Sequence, residues 1–293
     1  MSTTPSGDTG EHTPTSTPGI VLITGTSSGI GLHAAIAAAR AGHTVVATMR
    51  NLEGSRALRD AADAAAVTLD IRRLDVTEAE SVTEVVAEIV DRYGRLDAVV
   101  NNAGSGHVGT IENETIDQVR AVMEVNFFGV VSVTRAALPH LRTSGGRLIT
   151  VSSVGGVVGQ PFNEAYCAAK FAVEGFMESL APVARTAGVS VTVVEPGAVA
   201  SSFVANVGFD LTAPPAFGDP YAAGLTAYLA RAGSSFAAAQ SAESAGVVVA
   251  ALLEGDTPAF RVQTSDAARQ FVGVKLADLD GAAVQGLTGS WLA

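Results

Sequence analysis

Short apolar runs rich in Val and Ile alternate with longer Ala-rich stretches of helical period from Ile20 onward. Most of these runs are hydrophobic at consecutive positions, as expected for parallel strands that helices cover on both faces. The alternation therefore predicts an α/β fold in which helices flank a doubly wound, seven-stranded parallel sheet. The predicted strands are Ile20–Ile23, Thr44–Thr48, Leu69–Leu74, Ala98–Asn101, Arg147–Val151, Val189–Val194 and Phe260–Gln263.

Glycines mark the ends of the predicted helices. A glycine readily adopts the left-handed conformation that commonly closes a helix, and one follows each stretch of helical period within a few residues. The predicted helices, each with its following glycine, are Ile30–Ala41 (Gly42), Glu78–Tyr93 (Gly94), Thr115–Leu141 (Gly145) and Asn163–Thr186 (Gly188).

The regular alternation lapses after Pro196. Gly and Pro interrupt Ser201–Pro220, Ala-rich helical patterns follow as far as Gly255, and a last strand and a polar tail complete the sequence. No stretch resembles a linker between domains. Residues 20–293 are therefore predicted to form a single domain, in which 201–255 supply a substrate-binding loop and helices.

The composition restricts the classes of partner. Residues 1–19 consist mostly of Ser, Thr, Pro and Gly, which predicts a disordered tail. A formal net charge of −11 disfavours nucleic acid and anionic membranes as partners. The longest apolar runs, such as Ala245–Leu253, fall short of the roughly 20 residues that span a bilayer. The single cysteine, Cys167, cannot form an internal disulfide, and no Cys or His spacing indicates a metal, so we expect a cytoplasmic protein without a metal site.

A glycine-rich loop follows the first predicted strand and opens the first predicted helix. Its glycines permit a tight turn and a close approach of backbone to phosphate, and the N-terminus of the helix carries a partial positive charge. This context is that of the dinucleotide-binding loop of a Rossmann domain. The predicted cofactor-binding residues of the loop are Gly25, Ser27, Ser28, Gly29, Ile30 and Gly31.

The loop spacing Gly-x-x-x-Gly-x-Gly and several later motifs resemble the classical short-chain dehydrogenase/reductase family. The resemblance extends from about Ile20 to Ser201. The later motifs are Asn101-Asn102-Ala103-Gly104 after the fourth strand, Asn126 in the fourth helix, Ser152-Ser153 after the fifth strand, Tyr166-x-x-x-Lys170, and Pro196-Gly197 after the sixth strand.

A tyrosine alone is a poor proton donor near neutrality, because the pKa of a phenol is about 10. Lys170 lies four residues after Tyr166 on one helix face, and its ammonium is expected to lower the pKa of the phenol. The resemblance implies that Ser153 orients a substrate carbonyl, that Tyr166 transfers the proton, and that Lys170 also holds the nicotinamide ribose. It further implies that Asn126 anchors a water that passes protons to Lys170.

The end of the second strand predicts a preference for NADPH. An NAD-binding domain usually places an acidic residue there, whereas Ala47–Asn51 contains none and Arg50 is suited to pair with a 2′-phosphate. Glu53 would favour NADH if the following loop turned it inward. The other cofactor-binding residues that the resemblance implies are Asp75, Val76, Asn102, Ala103, Gly104, Tyr166, Lys170, Pro196, Gly197, Val199 and Ser201.

These features together predict an NADP(H)-dependent oxidoreductase that acts on a ketone, an aldehyde or a secondary alcohol. A hydrophobic small molecule, similar to a steroid, a retinoid or a secondary metabolite, fits the uncharged aromatic residues that follow Ser201, and His107 is the histidine expected near it. Two alternatives remain: a ketoreductase of carrier-bound β-ketoacyl chains, and a non-catalytic dinucleotide sensor. The resemblance also implies a homodimer or homotetramer. The aromatic residues in question are Phe203, Phe209, Phe217, Tyr221 and Tyr228.

Overall fold

The computed structural model describes residues 18–112, 114–201, 220–237, 239–277, 280 and 282–292. Residues 1–17 of the predicted tail lie outside the described residues, as do residues 202–219 of the predicted substrate loop. The three phenylalanines of that loop, Phe203, Phe209 and Phe217, are therefore outside the description as well.

Parallel strands form a seven-stranded central sheet, as the sequence predicts. They are β1 (Ile20–Thr24), β2 (Thr44–Met49), β3 (Asp70–Arg73), β4 (Ala98–Asn101), β5 (Arg147–Val151), β6 (Ser190–Glu195) and β9 (Arg261–Gln263). The order across the sheet is β3-β2-β1-β4-β5-β6-β9, and every neighbouring pair is parallel. The direction of winding reverses between β1 and β4, so their carboxyl ends form the switch point at which such sheets bind ligands.

Helices cover both faces of the sheet. Along β1, Val21 and Ile23 pack against the layer of α1, α2 and α8, whereas Leu22 between them packs against α3, α5 and α6. Two cores therefore lie on opposite sides of one sheet, which explains why the strands read as continuous apolar runs. The described helices are α1 (Gly29–Arg40), α2 (Arg56–Ala65), α3 (Ala79–Tyr93), α4 (Ile116–Met123), α5 (Gly129–Ser144), α6 (Glu164–Arg185), α7 (Ala222–Ala237), α8 (Ala242–Ala251), α9 (Asp266–Leu276) and α10 (Ala282–Gly289).

The helix predicted at Thr115–Leu141 differs from the prediction. It begins at a capping box, in which Thr115 and Gln118 bond to each other's backbone, but a single π turn at Glu124–Phe128 separates α4 from α5. A π turn inserts one extra residue, which the spacing of apolar residues does not reveal. Such turns often occur at functional sites, and this one contains Asn126.

The prediction of a polar tail at the end of the chain was wrong, and α2 was not predicted. The predicted polar tail forms α9 and α10, because Ser265 caps α9 and Ala268 and Val272 bury one side of it. The signal for α2 was weak, because Leu58 and Ala62 are its only fully buried residues. A short parallel pair outside the main sheet, β7 (Val199–Ala200) and β8 (Gln240–Ser241), was also missed, since two residues show no periodicity.

One described helical stretch, residues 116–144, is long and apolar enough by length and composition to cross a membrane. Val130, Val133 and Leu141 of this stretch lie in the core beneath the sheet. Packing against the sheet therefore accounts for its hydropathy.

Candidate active site

The glycine loop closes tightly on the start of the segment after β4. A Cβ on Gly25, whose φ is +71°, would lie 2.7 Å from the Cα of Ala103. A Cβ on Gly31 would lie 2.3 Å from the Asn102 Nδ2 and 2.5 Å from the Gly25 carbonyl oxygen. Side chains at these two positions are thus excluded by packing, and the loop backbone is left open at the switch point, as a bound pyrophosphate requires.

Asn102 and Thr24 hold this loop in place. The Asn102 amide donates to the carbonyls of Thr24 and Gly25, both at 2.9 Å. The Thr24 hydroxyl accepts the backbone N–H groups of Asn102 and Ala103, both at 3.0 Å. Sequence analysis placed Asn102 beside the adenosine ribose; the structure gives its side chain a bracing role, and adds Thr24, which the glycine pattern did not single out.

Ser201, which follows β7, lies against the same loop. A Cβ on Gly29 would lie 3.3 Å from the Ser201 Cβ, at the start of α1. Ser28 precedes that helix in an extended conformation, so the first N–H groups of α1 face this junction. The residues predicted to bind the two halves of a dinucleotide therefore come together at the carboxyl ends of β1 and β7.

Arg50 and Asp75 lie near each other at the ends of β2 and β3. Burial acts to raise the pKa of Asp75, but hydrogen bonds from Thr77 and the charges of Arg50 and Arg73 hold it below its usual value. Glu53 is exposed in a short turn that Asn51 caps by accepting the Glu53 N–H at 2.9 Å. The Glu53 carboxylate, which could have favoured NADH, is thus exposed, while Arg50 lies near Asp75.

Four other predicted cofactor residues make contacts within the protein. Val76 packs on α5, where a Cβ on Gly129 would lie 2.6 Å from the Val76 Cγ2. The Pro196 carbonyl accepts the Val154 N–H at 2.9 Å. Gly197 lies against Ala268, and Val199 is buried against α8. A contact between these four residues and a cofactor would therefore involve their backbone groups.

Ser153, Tyr166 and Lys170 come together at the ends of β5 and α6. The Ser153 and Tyr166 side chains are hydrogen-bonded. The Ser153 Oγ also accepts the Gly155 N–H at 3.0 Å. The Lys170 ammonium lies 5.8 Å from the centre of the Tyr166 ring and donates to the Val151 carbonyl at 3.1 Å.

The pKa of Tyr166 is shifted in the direction opposite to the one that the sequence predicts. Burial raises the pKa of Tyr166 above its usual value, and the hydrogen bond with Ser153 offsets only part of this effect. Lys170 is itself buried, with 4% of its surface exposed. Burial lowers the pKa of Lys170 to about 8, opposed by the charge of Glu174. A positive charge close to the phenol would lower its pKa, and the Lys170 ammonium, 5.8 Å from the ring centre, is such a charge when it is protonated.

Asn126 is fully buried in the π turn. Its amide donates to the carbonyls of Ser105 and Val122, both at 3.0 Å, and its Oδ1 accepts the Ser105 N–H at 3.2 Å. A Cβ on Gly104 would lie 2.9 Å from the Asn126 Oδ1 and 3.6 Å from the Lys170 Nζ, so this glycine keeps the two side chains close to one point. The side chain of Asn126 braces the segment after β4.

Ser152 and Ser153, the two residues after β5, lie in different environments. Ser153 bonds to Tyr166, whereas Ser152 is buried beside Glu174. Glu174, Glu195 and Arg261 form a charged cluster there that sequence analysis did not anticipate. Its signal was a Glu one helical turn after Lys170, which an isolated sequence does not distinguish from a surface pair.

Apolar and aromatic residues line the side of the site toward α7. Val108, Phe162 and Leu225 form a small cluster, in which the rings of Phe162 and Tyr228 lie 5.5 Å apart. Asn163 donates to the Tyr228 hydroxyl at 2.6 Å. His107 is mostly buried, and its Nε2 lies 2.9 Å from the Glu114 Oε1. Among the described residues, no three His, Cys, Asp or Glu side chains come together as metal ligands.

Comparison with known proteins agrees with this geometry. The family model described as short chain dehydrogenase matches residues 19–211, which span the glycine loop, Tyr166 and Lys170. The chain belongs to the short-chain dehydrogenase family. Membership in this family explains why the glycine loop, Ser153 and the Tyr166-Lys170 pair lie together at the carboxyl end of the sheet.

Curated relatives in this family include steroid and retinol enzymes. Estradiol 17-beta-dehydrogenase 1 of Rattus norvegicus is 43% identical over 191 residues, which are 63% of this chain and 55% of the relative. Retinol dehydrogenase 8 of Bos taurus is 44% identical over 191 residues, 64% of this chain and 61% of the relative. The chain thus matches little more than half the length of these short-chain dehydrogenases.

Solved structures of the family match over more of the chain. A short-chain dehydrogenase from Streptomyces avermitilis has a TM-score of 0.76 at 30% identity and covers 94% of this chain and 98% of its own. A variant of actinorhodin polyketide ketoreductase with NADPH has a TM-score of 0.72 at 27% identity, over 84% of this chain and 95% of its own. Solved relatives of this short-chain dehydrogenase therefore include a nicotinamide dinucleotide complex.

Proposed function

We propose that this chain is an NADP(H)-dependent oxidoreductase that transfers a hydride between the nicotinamide and a hydrophobic ketone, aldehyde or secondary alcohol. The observation that carries the proposal is the trio of half-buried Ser153, half-buried Tyr166 and buried Lys170 at the same carboxyl end of the sheet as the glycine loop. A sensor needs the loop but has no use for a serine-bonded phenol beside a buried ammonium. An enzyme that moves a proton needs both.

The proposed chemistry assigns a separate task to each side chain. The cofactor, held by the glycine loop and by Lys170, supplies or accepts the hydride. The Ser153 Oγ accepts the Gly155 N–H, and its O–H donates to a substrate carbonyl oxygen. The Tyr166 hydroxyl donates its proton to that same oxygen on reduction, and takes it back on oxidation. Lys170 stabilises the resulting phenolate from its buried position.

Two observations support a hydrophobic substrate. The buried cluster of Val108, Phe162 and Leu225, against which Tyr228 packs, makes the surroundings of the start of the catalytic helix α6 apolar. The relatives with 43% and 44% identity are named for estradiol and retinol, both large apolar alcohols. The similarity to a polyketide ketoreductase supports a β-ketoacyl thioester as the second candidate substrate.

The test is a substrate screen with the purified full-length chain. Loss of NADPH absorbance is followed with steroid ketones, retinal, simple aliphatic ketones and a β-ketoacyl thioester. Turnover is expected to be fastest with an apolar steroid or retinoid carbonyl. Faster turnover of the thioester would establish the ketoreductase alternative, and tight NADPH binding without turnover of any compound would identify a sensor.

The preference for NADPH is expected to depend on Arg50. Replacing Arg50 with Ala removes a charge-assisted contact worth about 1.5–3 kcal/mol, so the KM for NADPH is expected to rise about tenfold or more while the KM for NADH changes little. Arg56→Ala is the matched control, because Arg56 is 92% exposed and pairs only weakly with Asp60. An Arg50→Ala enzyme that still prefers NADPH would remove this residue from the assignment.

We also propose that the chain forms a homodimer or homotetramer through α5 and α6. Leu138 and Pro139 of α5 and Phe176 and Leu180 of α6 line an apolar groove on the outer face. Val183 continues the α6 stripe and is 64% exposed. Such a surface is typical of an interface between copies of a chain.

A charge on this face is expected to dissociate the assembly. Val183→Glu would bury an unpaired carboxylate in the interface, so light scattering is expected to give the mass of one chain instead of two or four. Val247→Glu is the control, because Val247 is 51% exposed on α8 in the opposite layer. Equal masses for the two variants would rule out the α5 and α6 face as the interface.

A further inference from the structure

Two buried carboxyl groups share one guanidinium behind Lys170. The Arg261 Nε lies 3.2 Å from the Glu174 Oε2 and 3.3 Å from the Glu195 Oε1. Glu174 is 5% exposed and Glu195 is completely buried. Gln263 donates to the Glu195 Oε2 at 2.8 Å. Glu195 is also the last residue of β6 and directly precedes Pro196, so the cluster adjoins the predicted nicotinamide segment.

The charges around Glu174 come from three elements. Lys170 and Glu178 lie on α6 itself, Glu195 on β6 and Arg261 on β9. Burial raises the pKa of Glu174; Glu195 adds to this effect, while Ser152 and Arg261 oppose it. Arg261 is thus the cation that keeps a carboxylate in this interior.

Lys170 and Glu174 share the same interior. They are four residues apart on α6, so their side chains emerge on one face. The turn at Val154–Gly156 closes on α6 between them, where a Cβ on Gly156 would lie 3.0 Å from both the Glu174 Cγ and the Lys170 carbonyl oxygen. Charges interact strongly across such a water-poor region.

The ammonium of Lys170 needs a compensating charge. The ammonium donates a hydrogen bond to the neutral Val151 carbonyl. No carboxylate of the described residues lies within ion-pair distance of it. A buried ammonium without a negative charge nearby gives up its proton. Glu174, one turn along the same helix, is the carboxylate whose charge favours the protonated amine.

We propose that Glu174 is a positioning residue that keeps Lys170 protonated, and that Arg261, which also pairs with Glu195, holds Glu174 in place for this task. The consequence for catalysis rests on the proposed function, since it requires that Lys170 assist Tyr166. The consequence for the ionisation of Lys170 does not rest on it, because that can be measured without substrate or cofactor.

The sequence makes this measurement direct, because the chain contains only two lysines, Lys170 and Lys275. A Lys275→Arg variant of the full-length chain, labelled with ¹³C and ¹⁵N lysine, gives a single lysine signal in an NMR titration. In this parent the pKa of Lys170 is expected near 8. Adding Glu174→Gln is expected to lower it, because an opposite charge has been removed.

Glu178→Gln is the matched control. Glu178 also bonds to Arg261, at 2.9 Å, but it is 62% exposed and lies one turn farther from Lys170. Its replacement is expected to leave the pKa of Lys170 unchanged, whereas Glu174→Asp, which keeps the charge, is expected to restore most of the parent value. Equal pKa values of Lys170 in the Glu174→Gln and Glu178→Gln proteins would overturn the proposal.

A second measurement requires no change in the cluster. In the parent chain, the Lys170 signal is expected to show an additional inflection at acid pH as Glu174 takes up its proton. A single inflection down to the acid unfolding of the chain would count against the proposal, even if the Glu174→Gln protein failed to fold.

The pH profile of turnover separates the two proposals. Glu174→Gln is expected to move the alkaline fall of kcat/KM to lower pH by the same amount as the pKa of Lys170. If the pKa of Lys170 falls and the profile stays in place, the positioning role stands and the catalytic use of Lys170 is wrong. If neither moves, the positioning role is wrong.

Discussion

Replacement of Tyr166 with Phe is expected to lower kcat by about 10²–10⁴-fold, the range that a positioned general acid contributes. The ring packs against Val119, Val122 and Met123 of α4, and Phe keeps these contacts. Only the hydroxyl, which bonds to Ser153, is lost. The expected result is therefore a nearly silent enzyme with an intact fold, measured as kcat on the fastest carbonyl substrate.

The same protein should still bind its cofactor. The glycine loop and Lys170 are untouched, so the Kd for NADPH, measured by its fluorescence, is expected to change less than about threefold. Tyr93→Phe is the matched control, because the Tyr93 hydroxyl donates to Asp70 at 2.9 Å on the distant edge strand β3. Its turnover is expected to equal that of the wild type. If Tyr166→Phe also turned over at the wild-type rate, the proton-transfer role of this residue would be wrong.

The features of this site that the sequence predicts depend on residues that are close together along the chain. Most strands of the main sheet were recognisable as consecutive apolar residues, because central parallel strands are buried on both faces, whereas the edge strands β3 and β9 each contain one apolar residue. The glycine loop was recognisable since its function depends on backbone conformation within eight residues. The family motifs predicted that Ser153, Tyr166 and Lys170 lie together at the carboxyl end of the sheet, and in the structure they do.

The remainder depends on contacts between distant segments. Glu174 meets Arg261 only because β9 pairs with β6, far along the chain. The direction of the Tyr166 pKa depends on how completely α4 and neighbouring loops bury the phenol, and the spacing of Tyr166 and Lys170 carries no information on that. The π turn around Asn126 likewise follows from the contacts with Ser105, which lies in a loop without periodicity.

Adding one methyl group at Gly31 is expected to destabilise the fold strongly. In the Gly31→Ala chain the new Cβ would overlap the Asn102 amide and the Gly25 carbonyl, both closer than 3 Å. The Asn102 side chain would have to move, losing its two bonds to the loop at about 0.5–1.5 kcal/mol each, and overpacking adds about 1–3 kcal/mol. The free energy of unfolding is expected to fall by about 3 kcal/mol or more, as measured by urea denaturation.

Gly273→Ala tests whether this loss comes from the contact or from replacing a helical glycine. Gly273 lies within α9, with no atom within 4 Å of a Cβ placed there, so alanine is expected to stabilise the chain by up to about 1 kcal/mol through its helix propensity. Opposite signs for the two variants are expected, with NADPH binding lost only in Gly31→Ala, because Asn102 also shapes the loop around the cofactor. If Gly31→Ala were as stable as Gly273→Ala and bound NADPH normally, the close approach of α1 to the segment after β4 would not be needed to hold the glycine loop open.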